Sequence, residues 1–129
     1  EIDAPLQLIH RDYRSANLLW ADGRLAAVLD WEEVGWGHRA RDVAWAAVHL
    51  ATRYHDWGPL APLAQHHFIA AYEEANPLSE AERAALPALL VWAGLGLVQA
   101  TLGKPAEPEA MAALERSVAR FPAASRRAD

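Results

Sequence analysis

The chain has 129 residues, of which 53% are hydrophobic and 22% charged, with six Trp. That length suffices for one globular domain burying about two thirds of its surface, and the composition excludes disordered, collagen-like and coiled-coil classes. A net charge of −5 argues against wrapping nucleic acid or resting on an anionic membrane, both of which need a basic surface, and the absence of Cys removes disulfide, zinc–thiolate, iron–sulfur and Cys-nucleophile chemistry.

The opening Glu1-Ile2-Asp3-Ala4-Pro5 has neither the basic start nor the apolar core of a signal peptide, so a cytoplasmic location is expected. Residues 6–37 consist of short apolar runs broken by Asp, Gly and Trp, and residues 39–121 are rich in Ala and Leu at helical spacing. The expected fold class is therefore α+β, mainly α with a small β-hairpin, without internal repeats. Leu6 to Ile9 is a short apolar stretch, and Asp22-Gly23 between two apolar runs signals a type I′ hairpin turn. With that pair as the turn, Trp20 opposes Leu25, Leu19 opposes Ala26 and Asn17 opposes Val28. Side-chain alternation then places Asp30 on the face of Asn17.

Helices are expected from Arg39 to about Tyr54, with Val43, Ala47 and Leu50 inward, and from Leu60 to Glu74, with Leu60, Leu63, Ala64, His67, Phe68, Ala71 and Tyr72 on one stripe. Asn76-Pro77 breaks the chain, and Ser79 with Glu82 forms a capping box that starts the next helix. Its apolar run, Leu86 to Val98, is shorter than the ~20 residues a bilayer crossing needs, and Pro87 kinks it or falls in its first turns. A last helix from Pro108 carries Met111, Leu114, Val118 and Phe121 inward and ends before Pro122.

The chemistry is concentrated in His10-Arg11-Asp12-Tyr13-Arg14-Ser15-Ala16-Asn17, followed beyond the hairpin by Leu29-Asp30-Trp31-Glu32. Phosphoryl transfer requires a carboxylate to accept the attacking hydroxyl's proton, and an amide with a second carboxylate to hold Mg²⁺ on nucleotide phosphates. Asp12, Asn17 and Asp30 are groups of those three kinds.

This segment resembles the catalytic lobe of the protein-kinase-like fold and, within it, the aminoglycoside phosphotransferase and choline kinase-like family of small-molecule kinases. A protein kinase would have Asp-Phe-Gly where this chain has Asp30-Trp31-Glu32, and a long activation segment where Asp42 already opens a helix as Arg41-Asp42-Val43-Ala44-Trp45. The resemblance spans residues 6–47. It implies that Asp12 is the catalytic base or hydroxyl orienter and that Arg14 has an electrostatic role beside the phosphates. Asn17 and Asp30 become Mg²⁺ ligands with ATP as co-substrate, His10 a structural member of the loop, and Asp42 its brace from the following helix. Asp42 also suits the N-cap of that helix. The family usually has Gly where Arg11 stands, and often Asp-Pro shortly before the position of Asp42.

Glu32 and Glu33 are candidates for binding a cationic substrate, or are solvated loop charges. His49, His55, His66 and His67 match no metal-ligand spacing, and His67 is expected as a hydrogen-bonded histidine on an apolar helix face. The Trp residues are expected as core or interface anchors. The Gly-rich loop and strand Lys that clamp ATP in such kinases have no counterpart before His10. The chain therefore reads as a partial C-terminal lobe, with a catalytic loop and metal hairpin at 6–37 and a helical subdomain at 38–122. Inactivity alone is expected, together with self-association through surface meant for the other lobe. The substrate is a small hydroxylated molecule, with the charge of −5 leaning to a cationic acceptor. The alternative is a non-catalytic relic or binding module that holds a small molecule or partner protein on its helices.

Overall fold

The structure, a computed structural model, describes residues 2–52 and 58–101. Its elements run β1 (Gln7–Ile9), a 3-10 turn (Ser15–Asn17), β2 (Leu18–Ala21), β3 (Arg24–Val28), β4 (Gly35–Gly37), α1 (Arg39–His49), α2 (Pro62–Ala75) and α3 (Glu80–Thr101). The α+β class is as the sequence indicated. The strands form two antiparallel ribbons, β1 with β4 and β2 with β3, and the helices hold the core.

At the tip of the β2–β3 hairpin, Asp22 and Gly23 take φ of 51° and 72°, the two positive values that a type I′ turn demands. Next to them Ala21 pairs with Arg24 and Trp20 with Leu25, as the turn chemistry predicts. A bulge between Leu19 and Trp20 then shifts the register, so that Leu19 pairs with Ala27 and Leu18 with Val28, leaving Ala26 as the extra residue. The expected pairings of Leu19 with Ala26 and Asn17 with Val28 are thus corrected by one residue. Because one extra residue reverses the facing of everything beyond it, alternation does not put Asn17 and Asp30 on a common face. Asn17 lies level with Leu29, and Asp30, with φ of 62°, has left the strand.

The β1–β4 ribbon pairs Gln7 with Gly37, Leu8 with Trp36 and Ile9 with Gly35. Nothing in Gly35-Trp36-Gly37 suggests a strand, since glycine is depleted in strands. Here glycine is required by proximity. A Cβ at Gly35 would stand 2.6 Å from the Arg11 guanidinium, and one at Gly37 would collide with Ile9 Cδ1. That face of the ribbon is closed, with Ile9 buried. Leu8 and Trp36, directly opposed on the other face, remain 60% and 67% exposed.

Helix α1 is the centre of the molecule. Ala40, Ala44 and Ala47 are completely buried, and α1 packs more extensively on α3 than on α2. Val43 and Ala44 pack with Leu78 and Leu86, flanked by Phe68, Ile69, Tyr72, Leu89 and Leu90, and Val48 packs with Ala93 and Leu97, flanked by Trp45 and Leu90. Each large aliphatic side chain buried in this way contributes roughly 1.5–3 kcal/mol. The helix stops at His49, short of the expected Tyr54, because Thr52 turns back and donates both its N–H and its hydroxyl to the His49 carbonyl, each at 2.8 Å. His55, Trp57 and the helix expected at 108–121 lie outside the described residues.

Helix α2 turns Gln65, Phe68, Ile69 and Tyr72 toward the core and leaves Leu63, His67 and Ala71 exposed. The expected stripe is corrected by a rotation of the helix, whose Ala-rich apolar residues surround most of its circumference and fix no single face. His67 is accordingly not a buried histidine. Helix α3 starts as the sequence indicated. Ser79 N–H donates to Glu82 Oε2 at 2.8 Å and Glu82 N–H to Ser79 Oγ at 3.2 Å, which completes the capping box, and Pro87 lies inside the helix.

The described Trp residues divide between the core and the surface. Trp20, Trp31 and Trp36 are 55–67% exposed on the strands and loops, and Trp92 is 38% exposed. Trp45 alone among the described ones packs with the core, flat against His49 with ring centroids 3.8 Å apart. No helix among the described residues is long and apolar enough to cross a membrane.

Candidate active site

The loop from His10 to Asn17 connects β1 to the hairpin and lies against α1. At its start, Asp42 in the first turn of α1 accepts the N–H of His10 on Oδ2 and that of Arg11 on Oδ1, both at 2.7 Å. These charge-assisted bonds hold two successive peptide groups in place. Arg11 can then follow with φ of 70°, a left-handed conformation that costs a non-glycine residue about 1–2 kcal/mol. Its side chain folds over Gly35 and donates to the Trp36 carbonyl at 3.0 Å.

His10 is buried and joins three pieces of backbone. Asp12 N–H donates to its Nδ1 at 3.2 Å, so the ring carries its proton on Nε2, which donates to the Leu29 carbonyl at 2.9 Å. Its ring edge meets Trp31 at 4.8 Å between centroids. Leu29 is held from the other side as well, its N–H donating to Asn17 O at 2.8 Å. Asp30, the next residue, is therefore tethered beside the loop through the peptide groups of Leu29, not through strand alternation.

Asp12 and Asn17 meet directly. Asn17 Nδ2 donates to both Asp12 O and Asp12 Oδ2 at 2.9 Å, and Arg14 Nε donates to the same Oδ2 at 2.9 Å. With its NH₂ committed to Asp12, the buried Asn17 offers its amide oxygen to a cation. Asp12 Oδ1 makes no hydrogen bond among the described residues. Asp30 is exposed and its carboxylate has no hydrogen bond or ion pair among the described residues; the same holds for Glu32 and Glu33. The available oxygens of Asn17 and Asp30 are hard donors of the kind Mg²⁺ takes, usually from one or two protein groups with the remainder from water and phosphate. No trio of His, Cys, Asp or Glu converges among the described residues, so the donor set does not resemble a transition-metal cage.

Two contributions were invisible in the sequence. Ser15 donates its N–H, at 3.2 Å, and its hydroxyl to the Leu50 carbonyl at the end of α1, a contact across 35 positions with no local signal. Behind the loop lies a cavity of about 400 Å³ bordered by Ile9, His10, Tyr13, Trp31, Phe68 and Tyr72. Burial there pushes the Tyr13 hydroxyl above its usual pKa. Arg39 and Asp42 also border it, Asp42 with both oxygens taken by the His10 and Arg11 N–H groups. Arg39 forks onto both oxygens of Glu82 at 2.9 Å and also donates to Asn76 Oδ1 and the Pro77 carbonyl.

A homoserine kinase from Phenylobacterium zucineum (strain HLK1) is 37% identical over 91 residues, which cover 70% of this chain and 28% of the relative. The chain thus spans less than a third of the length of the curated relative it matches. No solved structure matches it significantly. The model of the phosphotransferase enzyme family matches residues 1–89, from β1 through the His10–Asn17 loop and the hairpin into α3. The chain belongs to the phosphotransferase enzyme family.

Proposed function

We propose that this chain is the C-terminal catalytic lobe of an ATP-dependent small-molecule kinase, with residues 6–37 carrying the reacting groups and the helices supporting them. The observation that carries the reading is the convergence of Arg14 and Asn17 on one oxygen of Asp12, which leaves the other oxygen to receive a substrate hydroxyl. Asp12 orients that hydroxyl and takes up its proton as the phosphoryl group is attacked. Arg14 fixes the Asp12 carboxylate and adds positive charge beside the transferred group. Asn17 and Asp30 would hold Mg²⁺, which neutralises charge on the nucleotide phosphates. The acceptor is a hydroxylated small molecule that carries an amine, which suits the net charge of −5 and the similarity to an enzyme named for homoserine. Glu32 and Glu33, exposed in the loop after Asp30, would attract that amine.

The test is transfer of the ATP γ-phosphate to homoserine, choline and an aminoglycoside by the protein encoded by the full reading frame that carries this chain. Asp12→Asn is expected to lower kcat by about 10²–10⁴-fold, the usual contribution of a positioned base, with its melting temperature unchanged. Turnover that survives Asp12→Asn intact would overturn the assignment. The 129-residue chain by itself is expected to transfer nothing. Ligand binding that is indifferent to both Mg²⁺ and Asp30→Ala would favour a binding module.

A further inference from the structure

Helix α1 touches the catalytic loop at both of its ends. Asp42 in its first turn holds the N–H groups of His10 and Arg11, and Leu50 at its C-cap receives the N–H and hydroxyl of Ser15. The loop is thus fastened to the helix near both of its ends, and Asp12 sits on the segment between the two anchors.

The Leu50 anchor is itself immobile. Leu50 N–H is bonded to the Ala46 carbonyl at 2.9 Å, and the neighbouring His49 is 1% exposed, stacked on Trp45 and bonded through Nε2 to the Ala93 carbonyl of α3 at 2.9 Å. The Leu50 carbonyl is one of those that a helix end leaves without an intrahelical partner. Ser15 satisfies it, and Ser15 opens the 3-10 turn whose last residue is Asn17.

We propose that Ser15 is a positioning residue of this phosphotransferase: by tying the loop to the end of α1 it holds Asp12 and Asn17 in their mutual geometry. The proposal rests on the kinase reading of the loop for its catalytic consequence, and on the Ser15–Leu50 contact for its structural one. Ser15→Ala keeps the N–H bond and removes the hydroxyl, whereas Ser15→Thr keeps both. In the full-length protein Ser15→Ala is expected to lower kcat about fivefold to tenfold, the fold-change that one hydrogen bond accounts for, with KM for ATP unchanged, the melting temperature lowered by only about 2–4 °C, and both effects rescued by Ser15→Thr. In parallel, exchange of the Asn17 and Leu29 amide hydrogens, which are bonded to Arg14 O and Asn17 O, is expected to accelerate by a similar factor in Ser15→Ala. Unchanged exchange overturns the proposal, as does unchanged kcat in an active enzyme, or failure of Ser15→Thr to rescue. If the parent protein transfers no phosphate, the kinase reading falls, and the exchange rates alone decide whether Ser15 holds the loop.

Discussion

Replacing Glu82 by glutamine keeps the size of a side chain that is 2% exposed while removing its charge. In the native chain Glu82 takes both forks of Arg39, 43 residues away, and closes the capping box with Ser79. It therefore fastens the first residue of α1 to the first turn of α3. The Arg39 hydrogen bonds, aided by the Ser79 N–H, hold its carboxyl down to about 2 from an ordinary 4.5, against the opposing effect of burial. At 1.36 kcal/mol per pH unit, that depression corresponds to roughly 3 kcal/mol. The folded-state pKa is the lower one, so this stability is fully present above about pH 4.5 and is lost as pH falls toward about 2. Urea denaturation of the native protein and Glu82→Gln at pH 7 and pH 3 should show two effects. The variant is less stable by about 2–4 kcal/mol at pH 7, since removing one partner of a buried pair leaves the other uncompensated. Its additional loss on acidification is smaller than that of the native protein. Parallel pH dependence in the two proteins would refute the linkage, and equal stability at pH 7 would refute the clamp.

Three further outcomes are expected. Arg11→Gly should be more stable than Arg11→Ala by about 1 kcal/mol in thermal melts, because both lose the side chain but only glycine relieves the positive φ; the opposite order would mean that the backbone strain is absent. Asp42→Asn has one acceptor oxygen where two N–H groups need one each, so it should cost about 1–3 kcal/mol and lower kcat of the full-length protein, which denaturation and steady-state rates would measure. The isolated chain should self-associate through the exposed face that carries Leu8 and Trp36. Sedimentation velocity over a concentration series should show this, with Leu8→Lys shifting the distribution to monomer; a chain monomeric at all concentrations would count against it.

What could be read from the sequence was local. Asp22-Gly23 named its turn, Ser79 and Glu82 named their capping box, and the spacing of His10, Asp12, Asn17 and Asp30 singled out the segment where the structure gathers Asp12 with Asn17 and ties Asp30 to them through Leu29. Contacts between distant residues left no such trace. Glu82 was legible as a helix cap and illegible as the partner of Arg39. Ser15 carries no signal in the sequence because its partner is a backbone carbonyl, whose position no side chain announces. Gly35 and Gly37 give no strand signal because their small size, which admits Arg11 and Ile9, is also what strand propensity counts against. The facing of α2 went wrong for a related reason, since apolar residues around most of a helix leave its orientation to its neighbours.

The bulge at Ala26 divides the hairpin into two parts with separate registers. The outer part, from Trp20 to Leu25, is set by the Asp22-Gly23 turn, and the inner part is set by Leu18 opposite Val28 and by the bond from Leu29 to Asn17. The bulge acts as a joint between a replaceable tip and a fixed base. Turns of other lengths and sequences can be grafted beyond Trp20 and Leu25 while the base, and with it Asn17 and Asp30, keeps its place, which makes the tip a site for evolutionary or engineered variation next to the proposed catalytic loop.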